Sequence, residues 1–153
     1  MSKQPLKRHK ALIPLSHDHH HGLLLCWKIR MGFSKKIELN RIKRYVDWFY
    51  ENHIKPHFEL EEQHIFPILG NHDELVKKAI AQHKSLIKLF TDNEDVEESL
   101  KAIEKELSLH IRFEERFLFS EIQRVATEKQ LASLYKSHKE KEFIENTSDE
   151  FWL

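Results

Sequence analysis

The chain contains little cysteine, glycine or proline, and it has no long run of apolar residues. Its 153 residues include one cysteine, three glycines and four prolines. The single cysteine, Cys26, excludes an internal disulfide and a thiolate metal cluster. No apolar run approaches the roughly 20 residues that span a bilayer, and the basic opening, residues 1–10, lacks the apolar core of a signal peptide. We therefore expect a soluble, cytoplasmic protein without a membrane partner.

An excess of charge of one sign is also missing. Lysine and arginine together number 25, as do aspartate and glutamate, so the formal net charge is zero. A chain without a basic excess offers no electrostatic reason to bind nucleic acid or an anionic membrane surface. A low content of helix breakers with one third of the residues charged is typical of long helices joined by short turns.

Apolar residues recur in steps of three and four, which is the spacing of one helix face. We predict an all-α fold, an up-down-up-down antiparallel four-helix bundle with a short C-terminal extra helix. The bundle domain covers residues 12–142, between a flexible N-terminal arm (1–11) and a C-terminal tail (143–153). We expect this tail to fray unless its last three residues dock on the bundle. The predicted helices cover approximately residues 15–31, 36–69, 72–90, 96–124 and 128–141.

Glycine, proline and cap residues mark the predicted helix ends. Gly32 is expected to stop the first helix, and Ser34 is expected to cap the second. Pro56 lies inside the second helix and predicts a kink, because proline lacks a backbone donor and disfavours helical conformation at the preceding residue. Two capping boxes predict the starts of the third and fifth helices, Asn71 with Glu74 and Thr127 with Gln130.

Histidine is the residue in excess, with 12 in the chain. The stretch KPHFELEEQHIFP contains His57 and Glu61, and the stretch LHIRFEERFLF contains His110 and Glu114. Residues four apart in a helix lie on the same face, so each pair can offer an imidazole nitrogen and a carboxylate to one point. The second and fourth helices of an up-down bundle run parallel, and we expect the two pairs to face each other across the core.

The first and third helices each supply a further histidine. His83 lies on the apolar face of the third helix, in AIAQHKSLIKLF. In the first helix, the stretch SHDHHHGLLL offers a choice, because His20 shares the predicted apolar face and His17 lies one turn earlier on it. We take His20 as the candidate ligand and keep His17 as its rival or hydrogen-bond partner. His19 and His21 are expected to meet solvent.

Four imidazoles and two carboxylates on one core are typical of a metal site. A carboxylate can bridge two cations, while each histidine supplies one terminal nitrogen. Two bridging glutamates and two histidines per ion leave each ion short of six ligands, so that dioxygen, peroxide, nitric oxide or water can bind. This donor set suits iron first, with manganese or zinc possible. Packing alone is a poor explanation, because burying unpartnered histidine and glutamate is costly.

Several neighbours of these residues carry their own expectations. Glu62 and Glu115 are expected on solvated helix faces, although either could replace its neighbour if the helix phase differs by one residue. His64 lies two turns after His57 and is expected to bond a ligand or another polar group of the core. Four aromatic residues near the two pairs are expected mainly in the core: Phe58, Phe66, Phe113 and Phe117.

The helices, the histidine-rich start of the first one, and the stretches HFELEEQHIFP and HIRFEER resemble the hemerythrin-like, HHE cation-binding domains. The resemblance covers roughly residues 12–124. It implies a four-helix bundle that holds a non-heme di-iron centre bridged by two carboxylates. Either His17 or His20 aligns with the ligand from the first helix. The other ligand positions fall on His57, Glu61, His83, His110 and Glu114.

One departure bears on function. The oxygen-carrying hemerythrins have a second histidine four residues from the one in the third helix, whereas here Ala79 and Ile87 lie four residues from His83. This weakens a simple oxygen-carrier interpretation and fits the six-ligand members, whose suggested roles are sensing oxygen or iron, handling nitric oxide or peroxide, and supplying iron for repair of iron–sulfur centres. We expect a di-iron protein that binds or senses dioxygen or a related molecule. A di-iron oxidase or peroxidase, or an iron-supplying repair protein, is the alternative.

Overall fold

A computed structural model describes residues 7–137 and 142–153. Within these ranges the regular elements are all helical and no strand occurs, which confirms the prediction of an all-α protein. None of these helices has both the length and the apolar character that crossing a bilayer requires. The helices are α1 (Ile13–Ser34), α2 (Leu39–Phe49), α3 (Lys55–Leu60), α4 (Glu74–Phe90), α5 (Val96–Phe113), α6 (Phe119–Val125) and α7 (Glu128–Ser137).

π-helical turns interrupt two of the long helical segments. They cover Tyr50–Ile54 between α2 and α3, Glu61–Ile65 after α3, and Glu114–Leu118 between α5 and α6. The first two turns end two residues before a proline, Pro56 and Pro67 respectively. Proline has no N–H and its ring crowds the carbonyl four residues earlier, and a wider turn relieves both problems. The irregularity predicted at Pro56 therefore takes the form of a π turn.

The end of α1 differs from the prediction. The helix continues through Gly32 to Ser34, and the chain then turns at Lys36, whose φ is +56°. Gly32 therefore lies inside the helix instead of ending it. Its missing side chain allows α1 to approach Ile42 closely, since a Cβ on Gly32 would lie 2.6 Å from Ile42 Cδ1. Ser34 does not cap the next helix, which begins after Glu38.

Of the two predicted capping boxes, one is confirmed and the other is wrong. The Thr127 hydroxyl accepts from the Gln130 N–H at 3.1 Å, and the Gln130 side chain accepts from the Thr127 N–H at 2.8 Å. At the start of α4, however, Asp73 rather than Asn71 is the cap, and its carboxylate accepts from the N–H groups of the second and third helical residues.

The buried apolar residues form two clusters, and α1, α2 and α4 all pack against α5. Along α1 the second cluster supplies Leu15 and the first cluster supplies Leu25, with the buried His19 between them. In α4 the buried His83 likewise separates Ala79 of the second cluster from Leu86 of the first. The first cluster includes Leu25, Ile29, Phe49, Phe58, Leu86 and Leu107, and the second includes Leu12, Leu15, Ile65, Phe66, Val76, Ala79 and Phe119.

The C-terminal residues pack on α1 and α2 instead of fraying. Phe151 and Trp152 are buried in the first cluster, whereas Leu153 is exposed. Arg41 donates two hydrogen bonds of 2.8 Å to the carboxylate of Asp149. Docking was therefore the correct one of the two expectations for the tail. The first six residues of the predicted arm and residues 138–141 of the predicted fifth helix lie outside the described residues.

Candidate metal centre

Six buried polar side chains converge between the two clusters, and none of them is more than 6% exposed. Each comes from a different element, and the two glutamates are the first residues of two of the π turns. Five of the six are among the residues singled out in the sequence. The set is His19 of α1, His57 of α3, Glu61, His83 of α4, His110 of α5 and Glu114.

These side chains form two groups that share both carboxylates. Within each group, one nitrogen or oxygen atom from every residue lies within 4.8 Å of the others. The first group pairs the imidazoles of α1 and α3 with Glu61 and Glu114, and the second pairs the imidazoles of α4 and α5 with the same glutamates. A buried cluster of imidazole and carboxylate donors at this spacing can hold a metal ion.

Each glutamate lies next to one imidazole of each group. Glu114 Oε1 is 2.9 Å from His19 Nε2 and 3.4 Å from His110 Nε2. Glu61 Oε1 is 3.1 Å from His57 Nε2 and 3.2 Å from His83 Nε2. Each carboxylate is thus placed between the two imidazole pairs, which is the position that a bridging ligand requires.

Most of the atoms that face the centre of this cluster have no hydrogen-bond partner, because their close contacts are not aligned as hydrogen bonds. They are Nε2 of His57, His83 and His110, both carboxylate oxygens of Glu61, and Oε2 of Glu114. An unsatisfied buried polar group costs about 1–3 kcal/mol, and more when charged. Cations between the carboxylates and imidazoles would satisfy these atoms, so the donor set fits a metal centre.

On the outer side, Nδ1 of each imidazole bonds a second side chain. Such a bond sets the orientation and tautomer of the ring, so that Nε2 is available toward the centre. The pairs are His19 with Glu115 (2.6 Å), His57 with Asp18 (3.0 Å), His83 with Glu62 (2.9 Å) and His110 with Gln82 (2.5 Å).

Glu62 and Glu115 are therefore not simply solvated charges, as the sequence suggested. Each follows a cluster glutamate by one residue, and each reaches the far side of an imidazole on another helix. The adjacent pairs Glu61-Glu62 and Glu114-Glu115 thus divide two tasks between them: the first carboxylate faces the centre and the second orients a histidine. The doubled glutamate after each histidine was the sequence signal that could have revealed these contacts.

The first helix corrects the choice among the histidines of SHDHHHGLLL. His19 is 4% exposed and lies in the cluster, whereas His17 and His20 are on the exposed face of α1. The expectation that His19 meets solvent is wrong, and so is the placement of His20 and His17 on the buried face. Residues 22–27 of α1 are all apolar, so two different stripes of residues satisfy helical spacing. Leu24 and Trp27, which follow His20 at helical spacing on the face predicted to be apolar, are exposed.

The π turns explain two further differences between the structure and the sequence predictions, at His64 and Phe117. A π turn adds one residue to a helical turn, so the side chains beyond it are shifted by one position. After Glu61 the buried residue is Ile65, and His64 is exposed rather than directed to the core. After Glu114 the buried residue is Leu118, and Phe117 is 57% exposed instead of lying in the core.

Three of the four aromatic residues that the sequence analysis placed in the core are buried, and two of these rings, Phe58 and Phe66, contact imidazoles of the cluster. Phe58, Phe66 and Phe113 are buried. Phe58 stacks on His83 with ring centroids 3.8 Å apart and an interplanar angle of 11°. Phe119, which the sequence analysis did not consider, stacks on His19 at 5.2 Å. These rings keep water from the cluster and hold the imidazoles in place.

The carboxylates strongly influence the protonation of the histidines in the metal-free protein. Burial lowers the pKa of His83, but the neighbouring carboxylates of Glu61 and Glu62 outweigh burial and raise this pKa to about 9. Burial likewise opposes the charged form of His57, yet the charge of Glu61 holds its pKa well above the usual value. Burial raises the pKa of Glu114, but its histidine neighbours keep it well below the ordinary value. Protons therefore compete with a cation for the same atoms.

A small cavity adjoins the first group. It is bordered by the imidazoles of His19, His57 and His110, and its other walls are largely apolar. The space open to the centre of a water-sized molecule is about 10 Å³, close to the minimum that holds one water. The apolar walls include Gly22, Phe49, Ile54, Phe58, Leu107 and Ile111.

Comparisons of the chain with models of known protein families, with curated proteins and with solved structures found no match. The resemblance to hemerythrin-like domains consequently remains a prediction from the sequence. The structure itself establishes a buried cluster of histidines and glutamates that could hold a metal ion.

Proposed function

We propose that this protein is a hemerythrin-type metal protein, an up-down-up-down four-helix bundle that holds two non-heme iron ions and binds or senses dioxygen or a related molecule such as nitric oxide or peroxide. The observation that carries the proposal is the pair of ligand groups that share both carboxylates. His19 and His57 would hold one ion and His83 and His110 the other, with Glu61 and Glu114 bridging the two.

The donor chemistry supports iron. The cluster offers imidazole nitrogen and carboxylate oxygen, and Cys26, the one thiol of the chain, belongs to neither group. Imidazole with carboxylate suits iron, with manganese and zinc as competitors. When bound, iron would supply a reversible change of oxidation state and coordination positions that the protein leaves open.

The cavity beside His19 and His57 supports a small ligand. Its largely apolar walls favour an uncharged molecule over an ion, and its volume, close to the minimum that holds one water, restricts it to a very small ligand. The chain's own side chains would orient the imidazoles through their Nδ1 bonds, exclude bulk water with aromatic rings, and leave access for a small molecule on one side of the cluster.

Metal content and optical absorption test this proposal. Protein reconstituted anaerobically with ferrous iron should hold about two irons per chain, and exposure to air should produce a near-ultraviolet or visible absorption band. Reversal of the band on removal of oxygen would support binding or sensing, whereas sustained consumption of peroxide or nitric oxide would favour the oxidase or peroxidase alternative. Failure to take up any metal would overturn the proposal, and uptake of zinc alone would overturn the assignment to iron.

Variants of the shared carboxylates sharpen the test. Glu61→Ala and Glu114→Ala should each lose the paired ions, because each removes a ligand common to both groups. Glu59→Ala is the matched control, since Glu59 is an exposed glutamate of α3 and belongs to neither group. Retention of two irons by either cluster variant would contradict the bridging assignment.

A further inference from the structure

The four imidazoles of the cluster have different outer partners. In the first group, His19 bonds the carboxylate of Glu115 and His57 bonds the carboxylate of Asp18. In the second group, His83 bonds the carboxylate of Glu62, but His110 bonds the neutral amide of Gln82. The first group therefore has two carboxylate partners and the second has one.

We propose that the two cation positions are unequal, and that the position held by His19 and His57 binds its ion more tightly because Glu115 and Asp18 both orient and polarise its imidazoles. This inference rests on the proposed dinuclear function and deepens it. It assigns a positioning role to Glu115 and Gln82, whose difference in charge distinguishes the two positions.

Asp18 and Glu62, one outer carboxylate from each group, contribute little to the difference in affinity between the two positions. Asp18 and Glu62 have comparably exposed side chains, 53% and 41%, so solvent screens their charges to a similar degree. Glu115 is less exposed, at 30%, and has no charged counterpart in the second group, because Gln82 takes the equivalent place. The inequality between the two positions is therefore concentrated in this one pair of residues.

Nearby cations reduce the difference without removing it. Arg8 lies 3.5 Å from Glu115 and offsets part of its charge. In the second group Lys84 acts on Glu62 in the same sense. The Ser16 hydroxyl also donates to both oxygens of Glu115, at 2.9 and 3.1 Å, which holds this carboxylate against His19. Since a cation offsets one outer carboxylate in each group, the first group still has one more carboxylate.

His19 and His110 both face the same oxygen of Glu114, which makes their comparison direct. A carboxylate that accepts the Nδ1–H makes an imidazole a stronger donor at Nε2, whereas a neutral amide does so less. Changes to such outer partners alter metal affinity roughly 10-fold to 100-fold. The two positions should differ in affinity by about the same factor.

Anaerobic titration of the metal-free protein with Co²⁺, followed by calorimetry and by visible absorption, tests this inequality. We expect two binding steps whose dissociation constants differ by about 10-fold or more. The tight step should survive in His83→Ala and be lost in His57→Ala, because these residues belong to different positions. Two equal steps, or a tight step that survives His57→Ala and disappears in His83→Ala, would overturn the inference.

A reciprocal pair of nearly isosteric variants identifies the cause. Gln82→Glu should tighten the weak step roughly 10-fold to 100-fold, a gain that a misfolded variant cannot produce, and Glu115→Gln should weaken the tight step by a similar factor. Gln63→Glu is the control, since it adds the same charge at an exposed position of a neighbouring element. An unchanged weak step in Gln82→Glu, or an equal gain in Gln63→Glu, would contradict the assigned role.

The outcomes separate this inference from the proposed function. Two metal ions bound with equal affinity would leave the dinuclear proposal intact and overturn only the inequality. No metal bound under any of these conditions would overturn both.

Discussion

His19 and His20 are adjacent in α1, yet their surroundings differ completely. Nε2 of His19 lies 2.9 Å from Glu114 and its Nδ1 lies 2.6 Å from Glu115, while His20 is exposed. Successive residues of an α-helix are rotated by about 100°, so only one of the two side chains can reach the cluster. The neighbouring helices, rather than the residue type, select which imidazole becomes a potential ligand.

Replacement of each histidine in turn tests this selection. His19→Ala should lower the iron content by about one ion per chain, because one group would retain a single imidazole. His20→Ala should retain the full metal content, since its side chain is exposed and belongs to neither group. Elemental analysis after reconstitution measures both, with circular dichroism as a check of folding. Equal loss in the two variants would contradict the assignment of His19.

At the scale of secondary structure, the π turns link the buried histidine–glutamate site to the second apolar cluster. Two of them begin at Glu61 and Glu114, so the change of register occurs directly after each shared carboxylate. Each pair of histidine and glutamate up to the start of the turn therefore keeps the i, i+4 spacing, while the last residue of the turn, Ile65 or Leu118, is buried. In an uninterrupted α-helix, His64 and Phe117 would share the face of His57 and His110, because each lies seven residues, about two turns, after its histidine.

The close packing of α1 at Gly32 leads to a prediction about stability. A Cβ at Gly32 would lie 2.6 and 2.9 Å from two atoms of Ile42 and 3.0 Å from Phe151. Gly32→Ala should therefore destabilise the protein by about 1–3 kcal/mol through overpacking, although alanine is the better helix former by about 1 kcal/mol. Urea denaturation of the metal-free protein measures this free energy of unfolding.

Gly22→Ala provides the matched control in the same helix. Its Cβ would meet one atom, Ile111 Cδ1, at 2.8 Å, and this flexible end of a side chain can rotate away. We expect a change close to zero, because the better helix propensity of alanine offsets the small rearrangement. Equal stabilities of the two variants would show that α1 does not pack tightly on Ile42 at Gly32.

At the scale of the whole molecule, the metal-free cluster makes stability depend on pH. The pKa of His83 is raised from 6.5 to about 9, and the pKa values of His19 and His57 are raised as well. A raised pKa in the folded state stabilises the fold below the unfolded pKa, and this stabilisation is lost as pH rises through the folded pKa. For His83 the shift corresponds to roughly 3 kcal/mol.

At low pH, protonation of Glu114 limits the stability of the metal-free protein. The pKa of Glu114 is lowered well below its ordinary value of 4.5, so its contribution is present above pH 4.5 and is lost as pH falls through the folded pKa. The cluster therefore favours the metal-free fold most between about pH 4.5 and 6.5. We expect the melting temperature in the presence of chelator to fall between pH 6.5 and 9.

Metal loading should reverse this trend. Imidazole must be neutral to bind a cation, so metal affinity rises with pH and the loaded protein should keep its melting temperature toward pH 9. His83→Gln should flatten the pH dependence of the metal-free protein, since it removes one of the shifted groups. A melting temperature of the metal-free protein that rises from pH 6.5 to 9 would contradict the protonation of the cluster described above.

Much of the fold class and of the cluster followed from local spacing. Steps of three and four predicted an all-helical chain, and the box of Thr127 and Gln130 predicted the start of α7. The i, i+4 spacing of His57 with Glu61 and of His110 with Glu114 depends only on helix geometry, and the structure brings both pairs together with His83. Their role as metal ligands remains a prediction.

The sequence by itself determined which residues share a helix face, because that depends only on the periodicity of the backbone. Only the tertiary structure decided which face of α1 is buried, since the rotation of a helix depends on packing against its neighbours, and residues 22–27 are apolar on every side of the helix. It also decided the bonds of Glu62 and Glu115 to imidazoles of other helices, and the docking of Phe151 and Trp152. These contacts join residues far apart in the chain, and no local pattern specifies them.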